Sequence, residues 1–171
     1  LIIFATPVLL NRIRGTRGKQ GLARATKLPP MSQGERIAYM LIMAPQFLLP
    51  LYAIFVPFTA HAGLLGAGLI IFAIGQAIRL KSIWDYTTAP SGQLITHGVY
   101  QLSRNPGYFG ATLTYVGMGL AGGSWFILLV ALTWFLGYQW VASIEERFCA
   151  SQWPEAFARY KANVAKNFIF F

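Results

Sequence analysis

Cysteine, histidine and charge are all scarce in this chain. Of 171 residues one is cysteine, Cys149, and two are histidine, His61 and His97. A lone cysteine excludes an intrachain disulfide. One Cys and two separated His cannot build a structural zinc site, so no metal is expected. Charged residues make up 11% of the chain, where a soluble domain carries about 25%. Alternating apolar and polar runs are missing too, which excludes barrel strands. What remains is 56% hydrophobic and arranged in long runs. Such residues must face lipid, so the expected fold class is all-α integral membrane. There is room for four to five transmembrane helices of roughly 20 residues within a single membrane domain over residues 1–171.

Leu1–Leu10 is apolar but too short to span alone. It has neither the charged leader nor the small-residue cleavage site of a signal peptide. Spans are expected at Ile37–Thr59, which contains Pro45, Pro50 and Pro57, at Ala62–Leu80, at Pro106–Ala121 and at Trp125–Ile144. Prolines inside a membrane helix predict kinks. Lys81–Asn105 reads as a polar connection and Gly122-Gly123-Ser124 as a tight turn. Residues 145–171 read as a C-terminal cytoplasmic tail, helical at first and broken near Pro154. Gly63, Gly66, Gly68 and Gly75, with Gly117 and Gly119, read as helix-packing positions, because small residues let membrane helices approach closely.

All 14 Lys and Arg fall within 11–36, 79–104 or 147–166, and the turns near His61 and Gly123 hold none. The positive-inside rule makes the charged side cytoplasmic. The five acids, Glu35, Asp85, Glu145, Glu146 and Glu155, lie there as well. A net charge of +9 suits this orientation and the anionic headgroups of membrane lipids. No basic stripe is interleaved with base-stacking aromatics, so nucleic acid is not expected as a partner. Nor is an obligate protein partner evident.

Two elements stand out on the charged side. One is Gly98-Val-Tyr-Gln-Leu-Ser-Arg-Asn-Pro-Gly-Tyr-Phe-Gly110, and the other is Glu145-Glu146. Arg104 precedes Pro106, and proline in a first helical turn costs no hydrogen bond. The N–H groups that follow, with Arg104, suit a carboxylate or phosphate. Tyr100 and Tyr108 offer ring faces to an adenine or a sulfonium. Neighbouring residues on a helix point about 100° apart, so Glu145 and Glu146 can face different groups. Each feature alone also fits an interface anchor or a solvated helix end.

Taken together, Gln93-Leu-Ile-Thr-His-Gly-Val-Tyr-Gln-Leu-Ser-Arg-Asn-Pro-Gly-Tyr-Phe-Gly110, Glu145-Glu146 and Phe157-Ala-Arg-Tyr-Lys161 resemble the isoprenylcysteine carboxyl methyltransferases and the related phospholipid N-methyltransferases. The resemblance runs from about Ile70 to Phe171. It implies an S-adenosylmethionine-dependent methyltransferase whose cofactor lies on the cytoplasmic side, held by residues 81–108 and 145–171. By the same resemblance Gln93, Leu94 and Ile95 match positions around the adenosine. Gly98, Tyr100, Asn105, Pro106 and Tyr108 match the central motif, and Glu145, Glu146 and Tyr160 the distal half. Arg104 and Glu146 are the candidate catalytic pair. A lipophilic methyl acceptor, with a carboxylate, thiol or amine, would enter from the bilayer. Two positions depart from the carboxyl methyltransferases: Asn105 stands where the family usually has His, and the turn Gln139–Ala142 lacks an Arg. Two other readings stay open, a sterol-reductase-like membrane enzyme using NADPH and a catalytically degenerate membrane subunit.

Overall fold

A computed structural model of the chain describes residues 28–55, 62–90 and 92–168. Among them the regular structure is entirely helical. Five α-helices follow one another: α1 Gln33–Phe55, α2 Ala62–Thr88, α3 Pro106–Gly122, α4 Trp125–Gln152 and α5 Pro154–Asn163, with a short 3-10 turn at Gly98–Gln101 between α2 and α3. Pro57, His61 and the expectations for Leu1–Leu10 and the basic run up to Lys27 lie outside the described residues.

The helices run longer than their apolar stretches. Sequence alone ends the second span at Leu80 and makes Lys81–Asn105 a connection, whereas α2 continues to Thr88. Nothing in Lys81–Thr88 breaks a helix, and Lys81 pairs with Asp85 one turn on, a spacing that supports helices. The helix stops just ahead of Pro90, which biases its predecessor away from helical geometry. Likewise α4 passes Ile144 and carries Glu145 and Glu146 on to Gln152. The expected break at Pro154 is present, but the chain resumes as α5, with Pro154 in its first turn, where the missing N–H is no loss. At the start of α1 the Ser32 backbone N–H donates to the Glu35 carboxylate at 2.9 Å and the Glu35 N–H to Ser32 Oγ at 3.3 Å, a reciprocal cap.

Two helices, α2 and α4, are long and apolar enough to cross a bilayer. Their outward residues fit that environment: Ile70 is 64% and Leu136 61% exposed. A soluble protein rarely leaves such contiguous apolar surface in water.

The chain divides into two compact units. The helical unit consists of Met31–Arg79 with Tyr108–Ile144. In it α2 and α3 approach each other backbone on backbone. A Cβ at Gly75 would stand 2.6 Å from the Thr114 nitrogen and 2.7 Å from the Gly110 oxygen, and one at Gly68 or Gly117 would strike the facing helix's main chain. These four glycines, Gly68, Gly75, Gly110 and Gly117, sit seven residues apart on each antiparallel helix, so every second turn presents a bare face. Gly119 takes up the Leu128 side chain of α4, whereas Gly63 and Gly66 have nothing within 4 Å among the described residues. Two of the four expected glycines on α2 therefore meet a facing helix among the described residues. Around this seam Tyr115, Trp134, Tyr138 and Ala142 form the buried core. The turn to α4 uses Gly123 at φ 63°, a left-handed conformation that glycine adopts without strain.

Among the described residues the polar unit consists of 28–30, Leu80–Gly107 and 145–168. It holds most of the residues singled out from sequence.

Candidate functional site

The polar unit is assembled by hydrogen bonds between segments far apart in the chain. Arg104 is its hub. Its backbone N–H donates to the Ala165 carbonyl at 2.9 Å, and its Nε to Glu146 Oε1 at 3.0 Å. Its Nη1 donates to the carbonyls of Lys161, at 3.2 Å, and Val164. The side chains of Arg104 and Glu146 are only 6% and 15% exposed, so the pair is largely shielded from solvent. On either side, Ser103 Oγ and Asn105 Nδ2 both donate to the Lys166 carbonyl, at 3.2 and 3.1 Å. The residue that stands in place of histidine is thus an amide that ties the motif to the tail, a task needing no charge.

A second set of contacts fixes the 3-10 turn. Tyr160 of α5 donates its hydroxyl to the Tyr100 carbonyl at 2.6 Å. The Tyr100 hydroxyl lies 3.3 Å from Ser82 Oγ on α2. Asp85, 4% exposed, is ion-paired with Lys81 and accepts the Val99 N–H at 2.9 Å. Gly98 has φ 62°, and a Cβ there would collide with the Asp85 carboxylate. Only glycine fits that position, for local reasons that do not require a cofactor. Upstream, Trp153 Nε1 donates to the Gly92 carbonyl at 3.2 Å, and Phe157 buries itself to seat α5.

Burial pushes the phenols of Tyr100 and Tyr160 well above their ordinary range; the Ser82 hydrogen bond partly offsets this at Tyr100 and the Arg104 charge at Tyr160, while Glu145 adds to the rise at Tyr100 and Glu146 at Tyr160. Both phenols stay neutral throughout the physiological range and serve as hydrogen-bonding groups, not bases. Burial also lowers Lys166, which Glu146 partly offsets. The two neighbouring acids divide as their helical offset suggests. Glu146 faces Arg104, while Glu145 lies within electrostatic reach of Tyr100.

The unit therefore brings together Gln93, Leu94, Ile95, Gly98, Tyr100, Arg104, Asn105, Pro106, Glu145, Glu146 and Tyr160. Ile95, Asn105 and Pro106 are buried, and Gln93 and Gly98 exposed. Tyr108 belongs to the helical unit, where its ring stacks on Tyr138 with centroids 5.5 Å apart. His97 is exposed and offers its carbonyl to the Tyr100 N–H at 3.2 Å. Sequence reasoning missed Ser82, Asp85, Ser103 and Trp153. Asp85 alone left a signal, as the one acid between Glu35 and Glu145 and one turn from a lysine. Two carboxylates and two neutral phenols with a satisfied arginine make a cluster suited to cationic groups, an ammonium or a sulfonium. Among the described residues no group of His, Cys, Asp and Glu could hold a metal ion.

A known family matches residues 64–156, just over half of the chain; it is described as phospholipid methyltransferase. That stretch takes in most of α2, the motif, α3, α4 and both glutamates. No curated protein matches the chain.

Proposed function

The chain belongs to the phospholipid methyltransferase family, and on that premise we propose that it transfers a methyl group from S-adenosylmethionine to the amine of a membrane lipid headgroup. A membrane methyltransferase acting on lipid-type substrates is what the family indicates. Bound S-adenosylmethionine supplies a methyl group already activated as a sulfonium, so positioning provides most of the acceleration.

The donor set of the polar unit fits such a cofactor. Glu145 would take its ammonium or ribose hydroxyls, and Tyr100 with the Gln93–Ile95 segment would hold the adenosine. Asn105 and Arg104 would act indirectly, by locking the motif onto the tail. An amine acceptor must lose a proton, and Glu146 is the proposed base. Its Oε1 is held by Arg104, which leaves the second carboxylate oxygen to accept that proton. The buried phenols stay protonated and cannot compete for it. We further propose that α1 to α4 all span the bilayer, with the polar unit on the cytoplasmic side, as the one-sided charge distribution suggests.

The observation that carries this reading is the Arg104–Glu146 pair joining the motif to the glutamate helix within the region the family matches. The test is transfer of labelled methyl from S-adenosylmethionine into nanodiscs. Label is expected in discs containing phosphatidylethanolamine and absent from discs of phosphatidylcholine and diacylglycerol. Label in neither overturns the proposal.

A further inference from the structure

The helical unit contains one unexplained cluster. Arg79 on α2 has a buried guanidinium nitrogen, Nη1, with no hydrogen-bond partner among the described residues. Neither has the hydroxyl of Tyr115 on α3, a residue only 1% exposed. The two side chains face each other closely enough to interact both through charge and as hydrogen-bonding groups, but neither Nη1 nor the phenol oxygen reaches full hydrogen-bond geometry with a described residue. The Tyr115 ring is held in place, edge-on to Trp134 with centroids 5.6 Å apart. The α2 backbone at Arg79 is fixed too, since it borders Gly110, where a Cβ would come within 2.9 Å of the Arg79 nitrogen.

Such a cluster is costly as it stands. A buried charge needs a counter-charge and hydrogen bonds. The helical unit has a single acidic residue, Glu35, and its carboxylate caps the start of α1. Asp85, the next acid along α2, is paired with Lys81 and Val99. Glu146 is held by Arg104, and no described residue completes Nη1 or the phenol, so the cluster can accept an anion from outside, one rich in acceptor oxygens. Depth narrows the choice. Arg79 lies about 25 Å along α2 from Ala62, at 1.5 Å per residue, against a hydrocarbon thickness of about 30 Å. A helix entering at one face brings Arg79 to the headgroup level of the other, where phosphates lie.

We propose that Arg79 and Tyr115 form a binding site for the phosphate group of a phospholipid, the guanidinium fork taking two phosphate oxygens and the phenol donating to one. A planar arginine fork matches phosphate geometry better than a lysine does. The proposal rests on the lipid-methylation reading, and names the headgroup feature by which the acceptor is held.

The test measures lipid binding apart from methyl transfer. Detergent-purified protein is titrated with short-chain phosphatidylethanolamine, with diacylglycerol of the same chains and with inorganic phosphate, following thermal unfolding. Stabilisation by phosphatidylethanolamine and none by diacylglycerol is expected. Arg79→Gln should raise the midpoint concentration on the order of tenfold and Tyr115→Phe about threefold, as expected for a charged and a neutral hydrogen bond. Arg79→Lys should fall between Arg79→Gln and the wild type; this variant and Tyr115→Phe carry the test if Arg79→Gln does not fold. Equal stabilisation by diacylglycerol, or variants that bind the phospholipid as the wild type does, would overturn the site. Inorganic phosphate acting at the same concentration and with the same Arg79 dependence would keep the anion site and move its source from lipid to solution. Phospholipid binding without methyl transfer would overturn the reaction and leave this site standing. Methyl transfer with an unchanged acceptor KM in the Arg79 and Tyr115 variants would do the reverse.

Discussion

The polar unit and the helical unit are held together by opposite means. In the polar unit, side chains reach long distances in sequence to find backbone carbonyls: Arg104 to Val164, Asn105 to Lys166, Trp153 to Gly92. In the helical unit the decisive contacts have no side chain at all, as Gly75 meets Gly110 and Gly68 meets Gly117. The difference follows from solvent. Lipid gives apolar side chains no reason to cluster, so close backbone approach supplies the packing. In the polar unit, polar groups gain from specific partners, and a shielded ion pair fixes register at the risk of a large penalty if one member is lost.

Substitutions should separate the two regimes. The largest effect is expected for Arg104→Ala, which strands Glu146 and two carbonyls and should cost about 3–5 kcal/mol. Hydrogen exchange should then rise across the motif and the tail more than in α3. Gly75→Ala comes next, at about 1–3 kcal/mol, because its new methyl group meets main chain that cannot swing away. Its control is Gly66→Ala, where nothing lies within 4 Å and alanine's better helix propensity should stabilise by up to about 1 kcal/mol. Thermal unfolding of the two variants side by side would break the glycine-seam explanation if they behave alike. Gly98→Ala should cost about 1–3 kcal/mol through left-handed strain and the clash with Asp85, and its damage should stay in the polar unit. Tyr160→Phe should be milder, about 0.5–1.5 kcal/mol.

A pH effect sharpens the contrast further. Burial raises Tyr100 and Tyr160 above the free value of 10.0. Below that value the phenols are protonated in both folded and unfolded chain, and their contribution is fully present. As pH climbs through it, the unfolded chain loses these protons first, so folded stability falls and is lost as the folded phenols titrate. Unfolding temperature should drop above about pH 10, and Tyr160→Phe should flatten that drop.

Much of this architecture is legible in the sequence, for identifiable reasons. Apolar run length and the Gly122-Gly123-Ser124 turn locate the helices α2 to α4, because lipid and glycine act locally. The one-sided charges and the motif bring Arg104, Asn105 and Glu146 into one neighbourhood before any coordinates are known. The helical start of the tail and its break near Pro154 were legible too, but the extension of α2 to Thr88 was not, since hydropathy ends where polarity begins while a helix does not. Which glycines matter was hidden too: Gly66 and Gly68 look alike until the facing helix is present. The Arg104 bonds to the Lys161 and Val164 carbonyls involve main chain, which leaves no trace in residue type.

The central claim is that the polar unit binds S-adenosylmethionine through the glutamate helix. Calorimetric titration of the purified wild type and of Glu145→Ala with S-adenosylmethionine, S-adenosylhomocysteine and NADPH tests it most directly. Saturable binding of the first two is expected, weakened on the order of tenfold in the variant, as for a hydrogen bond to a charged group, with no response to NADPH. Silence toward both sulfur compounds, or binding of NADPH in their place, would contradict it.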